Sequence, residues 1–431
     1  MIRGERRDPE PRLLEMEGYR LRLVPTTKFK TSYFQLRFSA PFRPETLNLR
    51  ALLPYALLDG TATLPTKRLF QNRCDRLYGA QVGAGVAKQG MMSVVTFSLS
   101  VVNDHYLPGD ARVLDEALDL FHDVVLRPRT YRGLIRAGVV KDEVRLLRED
   151  IEADYADKAE YAFQRMSEAM FKDELARYRA KGDYDTLDKV TPEGLTEAYR
   201  DMLANDFVEA VAVGDFDSDE IARAFSRRFA FSPRPTVPVW TDTETKDITD
   251  VQRVVEEGDV SQARLVLGYR LPTRSGSKDY YAAVVGNALF GDSDTSMLFR
   301  TVREKEHLCY YVYSVYAAGK GAVFVSAGVE PGREDQASAV IGRVKDDLAA
   351  GRFSEDDLTI AKNAVVKRMR QSTDSLRGIV ADHAHFDRLY GIPYDLDRAV
   401  AAVQAVTAEA VAAQIALLIE DTEYRLTGRN R

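Results

Sequence analysis

The chain has 431 residues, 45% of them hydrophobic and 29% charged, with a formal net charge of −6. That length suits two or three domains, the composition is that of a soluble globular protein, and the acid excess argues against a broad basic surface for nucleic acid or anionic lipid. No apolar run approaches the roughly eighteen residues of a spanning helix, residues 1–18 are charged rather than signal-like, and two cysteines, Cys74 and Cys309, suit a reducing cytosol without a readable disulfide framework or zinc cluster.

Residues 18–40, GYRLRLVPTTKFKTSYFQLRFSA, alternate apolar and polar side chains on either side of a Pro/Thr/Lys turn, which predicts an antiparallel hairpin. An apolar run over 47–58 predicts a helix that Pro54 kinks or starts. The loop GTATLPT follows, then a helix over 67–78 with Leu69, Phe70, Cys74 and Leu77 on one side. Strands over 81–87 and 92–102 flank the turn KQG. A helix covers 114–125. The charge-rich stretch 131–173 predicts one long helix, with Asp157 and Lys158 as its weak point. Thr191 caps a helix that has Pro192 at its first position. A strand over 208–213 closes at Gly214, and Ser218 opens another helix.

Residues 231–244, FSPRPTVPVWTDTE, carry three prolines and no helical period. They predict a linker, and with it an N-terminal domain over 1–230, a linker over 231–245 and a C-terminal domain over 246–431. The second half predicts strands at 262–269, 322–329 and 423–427, with helices at 279–289, 336–350, 354–370 and across 376–418. The order of elements repeats. TKRLF (66–70) precedes helix, strand, Gly and strand; TSMLF (295–299) does the same, at an offset of about 230 residues. The fold class is therefore α+β: two duplicated units, each a mainly antiparallel sheet covered by helices.

The stretch 295–314, TSMLFRTVREKEHLCYYVYS, switches from a helical period to an alternating one near His307. It sets Arg303, in the last turn of the helix, seven residues before Tyr310. The plain reading is a solvated Arg and a core Tyr. Other chemistry finds little support. GAQVGAG opens no helix and is a poor phosphate loop; no G-x-S-x-G elbow occurs; His383 and His385, two apart on a helix, point to different sides.

The phrase around Arg303 resembles one in the M16 (pitrilysin, mitochondrial-processing-peptidase-like) family. Ser296, Leu298, Phe299, Val302, Arg303, Glu304, Lys305, Leu308, Tyr310 and Val312 match it, and the duplicated layout extends the likeness over nearly the whole chain. The resemblance implies two homologous domains in a clamshell. Active members carry H-x-x-E-H before a phrase ending in F-x-G-T. Counting back from Gly60-Thr61, the two His positions hold Ala51 and Tyr55 and the Glu position holds Pro54. The distal zinc Glu falls at about Glu149. A catalytic zinc needs three protein ligands, so no metal and no cofactor is expected in this chain, and no zinc peptidase activity from it alone.

In the family's two-chain members one subunit supplies zinc and the other an Arg/Tyr pair that holds the substrate. The resemblance thus implies a non-catalytic subunit whose Arg303 and Tyr310 serve a zinc-bearing M16 partner in a heterodimer. The substrate would be an extended peptide, the zinc would sit in the partner only, and the location would be the cytoplasm, away from nucleic acid and membrane. The likeness extends to bacterial zinc-less partners, including a branch linked to modification of elongation factor P. The alternatives are a structural scaffold, a peptide-binding protein with no role in catalysis, and a lone enzyme with an unrecognised site.

Overall fold

A computed structural model describes residues 10–232, 247–390 and 394–428. In chain order the first part holds strands β1 (Arg12–Met16), β2 (Tyr19–Pro25) and β3 (Thr31–Pro41), helices α1 (Leu47–Leu57) and α2 (Lys67–Arg76), and strands β4 (Gln81–Gln89) and β5 (Met92–Val102). There follow α3 (Leu114–Leu126), the ribbon β6 (Thr130–Tyr131) and β7 (Leu134–Ile135), α4 (Ala137–Ala156), α5 (Lys158–Met170), α6 (Pro192–Asn205), β8 (Phe207–Gly214) and α7 (Ser218–Arg228). The second part holds β9 (Gln252–Gly258), β10 (Ala263–Arg270), α8 (Tyr280–Phe290), a π-helix (Phe299–Lys305), β11 (Cys309–Ala317) and β12 (Ala322–Val329). It ends with α9 (Glu334–Ala349), α10 (Glu355–Ser372), α11 (Leu376–Tyr390), α12 (Leu396–Gln404), α13 (Ala408–Ala416) and β13 (Ile419–Gly428).

The strands form two main sheets with one topology. The first runs β1-β2-β8-β3-β5-β4 and the second β11-β12-β10-β13-β9. In each, the strand that follows the helical block, β8 or β13, lies between two early strands of the half, β2 and β3 or β9 and β10. It pairs parallel with the earlier one, β2 or β9, and antiparallel with the later, β3 or β10. The duplication read from the sequence is thus repeated over five strands, and β1 is an addition at the edge of the first sheet.

Four readings of the sequence differ from the structure. Segment 18–40 is not a hairpin, because β8 inserts between β2 and β3. Nearly every residue of β2 and most of β3 are buried, so these strands occupy the covered middle of a sheet, where alternation no longer reports one wet face. Stretch 131–173 is a ribbon and two helices, broken where the Asp157 side chain caps α5 by accepting from the Ala159 and Glu160 N–H groups at 2.9 and 3.2 Å. Strands β1 and β9 have no counterpart among the strands that the sequence pattern predicts. Both are edge strands rich in charge (RLLEM and QRVVEEG), which in sequence look like solvated loop.

By contacts the chain forms two compact units that are not contiguous in sequence. One contains Met1–Ile151, Arg179–Trp240 and Thr373–Tyr394; the other contains Glu152–Tyr178, Thr241–Ser372 and Asp395–Arg431. Each sheet therefore takes a helix from the other half of the chain. In the second unit, Met166, Met170 and Phe171 of the α5 segment pack on Val266, Phe324, Tyr424 and Leu426 of the sheet. Full burial of such side chains stabilises by roughly 1.5–3 kcal/mol each. Gly268 of β10 lets α5 lie this close, since a Cβ there would stand 2.6 Å from the Met170 sulfur. In the first unit, Leu376, Ile379 and Val380 of α11 cover Val24, Tyr33, Val211 and Val213, and Arg22 of β2 forms a bidentate pair with Asp387. Most of the linker read at 231–245 lies outside the described residues.

Candidate functional site

Two places in the chain concern the chemistry, and each belongs to one unit. The first lies where α1, α4 and β4 meet. Ala51 and Tyr55 are one turn apart on α1, so they share a face. They line a cavity of about 570 Å³ whose other walls are apolar, from Leu52, Val86, Leu146, Leu147 and Ala180, and charged, from Glu143, Asp150, Arg179 and Lys181. Pro54, one residue before Tyr55, is buried inside the helix and lines no part of it.

Glu149 does not face this cavity. Its carboxylate accepts from Arg145, one turn back, at 2.7 Å on an exposed surface. The carboxylates that do face it are Glu143 and Asp150. The signal for this was present in the sequence. Positions 143, 147 and 150 fall on one stripe of a 3.6-residue helix, and 149 falls well off it. Asp150 pairs with Lys181 at 2.7 Å. Glu143 is 8% exposed and makes no hydrogen bond; its nearest cation is Lys67 at 3.9 Å. Burial raises its carboxyl, and Asp59 and Asp142 add to this against Lys67.

These residues do not fit zinc. Ala51 and Pro54 offer no donor atom, and zinc wants three protein ligands. Burial, with Asp150 and Glu143 adding to it, raises the Tyr55 phenol and keeps it protonated. Asp150 already serves Lys181. Among the described residues no group of three or more His, Cys, Asp or Glu is placed to hold a metal ion.

The second place carries Arg303 and Tyr310. The segment between them is held by wide backbone bonds, from the Glu306 N–H to the Thr301 carbonyl and from the Leu308 N–H to the Val302 carbonyl, both 3.0 Å. The first of these is the π spacing of the Phe299–Lys305 helix, which recurs at functional sites, and the second, one residue wider, closes its end. His307 follows with φ of +50°, an uncommon left-handed residue that turns the helix into β11. Leu298, Val302 and Leu308 are buried and anchor the turn from below.

Register then places the phenol. Cys309 pairs with Val329 and Tyr311 with Gly328, so Tyr310 is the extra residue of a bulge. A bulge re-aims a side chain, and Tyr310 is 69% exposed. The Arg303 guanidinium lies over the Phe299 ring at 4.7 Å. Among the described residues neither Arg303 nor Tyr310 makes an ion pair or hydrogen bond, so both present unused donors. Neighbouring Cys309 is no nucleophile, because burial pushes its thiol up to about 11 despite Arg303.

His122 and His383 stand apart from both places. His122 approaches Asp123 at 3.2 Å. His383 is buried in α11, where burial and then Arg22 push its imidazole down to about 4.

The fold defines a duplicated α+β chain whose first cavity holds too few donor atoms for a metal ion. A model of the Peptidase M16 inactive domain matches residues 189–365. The chain is 30% identical over 411 residues to the probable inactive metalloprotease YmfF of Bacillus subtilis, covering 95% of this chain and 96% of that protein. A conserved protein from Enterococcus faecalis superposes with a TM-score of 0.90 at 25% identity, covering 98% of this chain and 100% of that one. The peptidase M16 inactive domain from Pseudomonas fluorescens superposes at 0.80 and 19% identity, over 98% and 99%. The chain belongs to the M16 peptidase family, on its inactive side.

Proposed function

We propose that the chain is the non-catalytic subunit of a two-chain M16 peptidase in the cytoplasm. It pairs with a zinc-bearing homologue and presents Arg303 and Tyr310 to a peptide in the partner's site. The observation that carries this reading is that the two donors are exposed and uncommitted, while the chain's own metal positions hold no ligands. Arg303 offers a fixed fork of N–H groups and a permanent charge. The Tyr310 hydroxyl is a neutral donor that can aim at one atom. Donors placed where a tetrahedral intermediate gathers negative charge lower the barrier to peptide hydrolysis. Extended substrate has a docking edge as well. Strand β4 ends the first sheet, and its Val86 borders the cavity, so a peptide can add to it through main-chain hydrogen bonds.

The test is reconstitution. The chain is mixed with the zinc-bearing M16 homologue of the same cell, complex formation is followed by gel filtration, and peptide hydrolysis is measured with each subunit alone and with both. Activity that appears only with both, and falls with Arg303→Ala, supports the reading. A complex of unaltered turnover with that variant points instead to a scaffold.

A further inference from the structure

The cavity in the first unit holds a buried carboxylate with no adequate partner. Glu143 is nine-tenths buried and faces about 570 Å³ of open space. Its one ion-pair partner among the described residues, Lys67, stands at 3.9 Å with a side chain that is mostly exposed, and it also serves Asp59 at 3.5 Å. At that range no hydrogen bond forms. A buried charge in this condition is costly unless something pairs with it. Two further cations line the cavity, Lys181, which pairs with Asp150 at 2.7 Å, and Arg179; neither forms an ion pair with Glu143.

The walls say what kind of cation fits. Ala51, Leu52, Val86, Leu146 and Leu147 supply no oxygen or nitrogen from their side chains. A small inorganic ion that keeps a full shell of oxygen ligands finds one free carboxylate here and little else. A charged head on an alkyl stem matches both features, since the stem lies along apolar surface while the head meets the acid.

We infer that the cavity at the vanished metal position is a binding site for an organic cation, a primary ammonium or guanidinium on an apolar stem, with Glu143 as its counter-ion. The occupant is a lysine-type or arginine-type side chain of a peptide lying on β4, or a free alkyl amine of the same chemistry. Tyr55, at the cavity wall, offers its hydroxyl to the same guest. This goes beyond the pairing proposed above. It needs neither a partner subunit nor Arg303 and Tyr310, so it can hold where that reading fails.

The experiment uses the whole chain alone and calorimetric titration. N-acetyl-lysine N-methylamide is compared with N-acetyl-norleucine N-methylamide, which keeps the stem and lacks the ammonium. The lysine probe is expected to bind at least about tenfold more tightly, as the loss of a charge-assisted hydrogen bond implies. Glu143→Gln should abolish the difference, with the thermal transition retained to show that the variant folds. If that variant does not fold, the wild-type comparison of the two probes decides alone. Cadaverine separates the sources: binding comparable to the lysine probe assigns a free amine, and much weaker binding assigns a peptide side chain. Equal binding of the lysine and norleucine probes, or none of either at about 10 mM, overturns the inference, and so does displacement of the lysine probe by micromolar zinc.

Discussion

Arg270 and Glu174 lie 96 residues apart and meet in a two-pronged pair, with nitrogen-to-oxygen distances of 2.7 and 3.0 Å. Arg270 also donates to Asp421 at 2.7 Å and to the Met170 carbonyl at 2.9 Å. One guanidinium thus ties β10, β13 and the end of the α5 segment together. Removing one member of a buried pair strands the other charge, at about 3–5 kcal/mol. Arg270 keeps Asp421 when Glu174 is lost, so Glu174→Ala is expected to lower the unfolding free energy by less than that, about 1–3 kcal/mol, read from urea unfolding. A shift of a few tenths of a kcal/mol would show that the pair does not hold the segment in place.

Arg303 and Tyr310 predict the opposite pattern. Both are exposed, so Arg303→Ala and Tyr310→Phe should leave the thermal transition unchanged. In the reconstituted complex each should cut kcat by roughly 10²–10³, the usual cost of one oxyanion donor. Steady-state assays alongside a separate measure of complex formation check this. Lost assembly would place the two residues in the interface instead.

The donor set at positions 51, 54, 55, 143 and 150 predicts that the purified chain carries no stoichiometric zinc. Elemental analysis after dialysis is the measurement. About one zinc per chain, lost on Asp150→Ala, would show that two carboxylates and outside ligands suffice where three protein ligands are normally needed.

His383 sets an acid limit on the first unit. Its folded value of about 4 lies below the ordinary 6.5, so between these values the unfolded chain binds the proton and the folded chain does not. Stability from this group is whole above about pH 6.5 and falls as pH drops toward 4, by about 3 kcal/mol at most. Asp387, raised by burial against the pull of Arg22, works in the other direction in the acid part of that range. Urea unfolding from pH 7 to 4 should show the loss, and His383→Leu should flatten it. An identical slope in the variant would move the cause elsewhere.

Much of the site was legible because its signals are local. The change of period at His307, the spacing of Arg303 and Tyr310, and the replacement of motif positions by Ala51, Pro54 and Tyr55 are all visible in short windows. The choice between Glu149 and the pair Glu143/Asp150 was legible in principle, since helical phase separates them. That Tyr310 is the bulged residue was not, because a bulge is a relation between β11 and β12 rather than a property of either.

By itself the sequence determined that the chain is a duplicated α+β protein of the M16 family, with a Pro-rich stretch at 231–244 and side chains without donor atoms at positions 51 and 54. Periodicity, turn residues and missing donor atoms are written residue by residue. Only the tertiary structure decided that β8 divides β2 from β3, that α5 and α11 each cover the sheet of the other half, and that Glu143 faces open space with no hydrogen bond. Those outcomes depend on which distant surfaces bury each other best. Apolar burial is non-directional, so a stripe on α5 or α11 declares that it must be covered without naming the sheet that covers it.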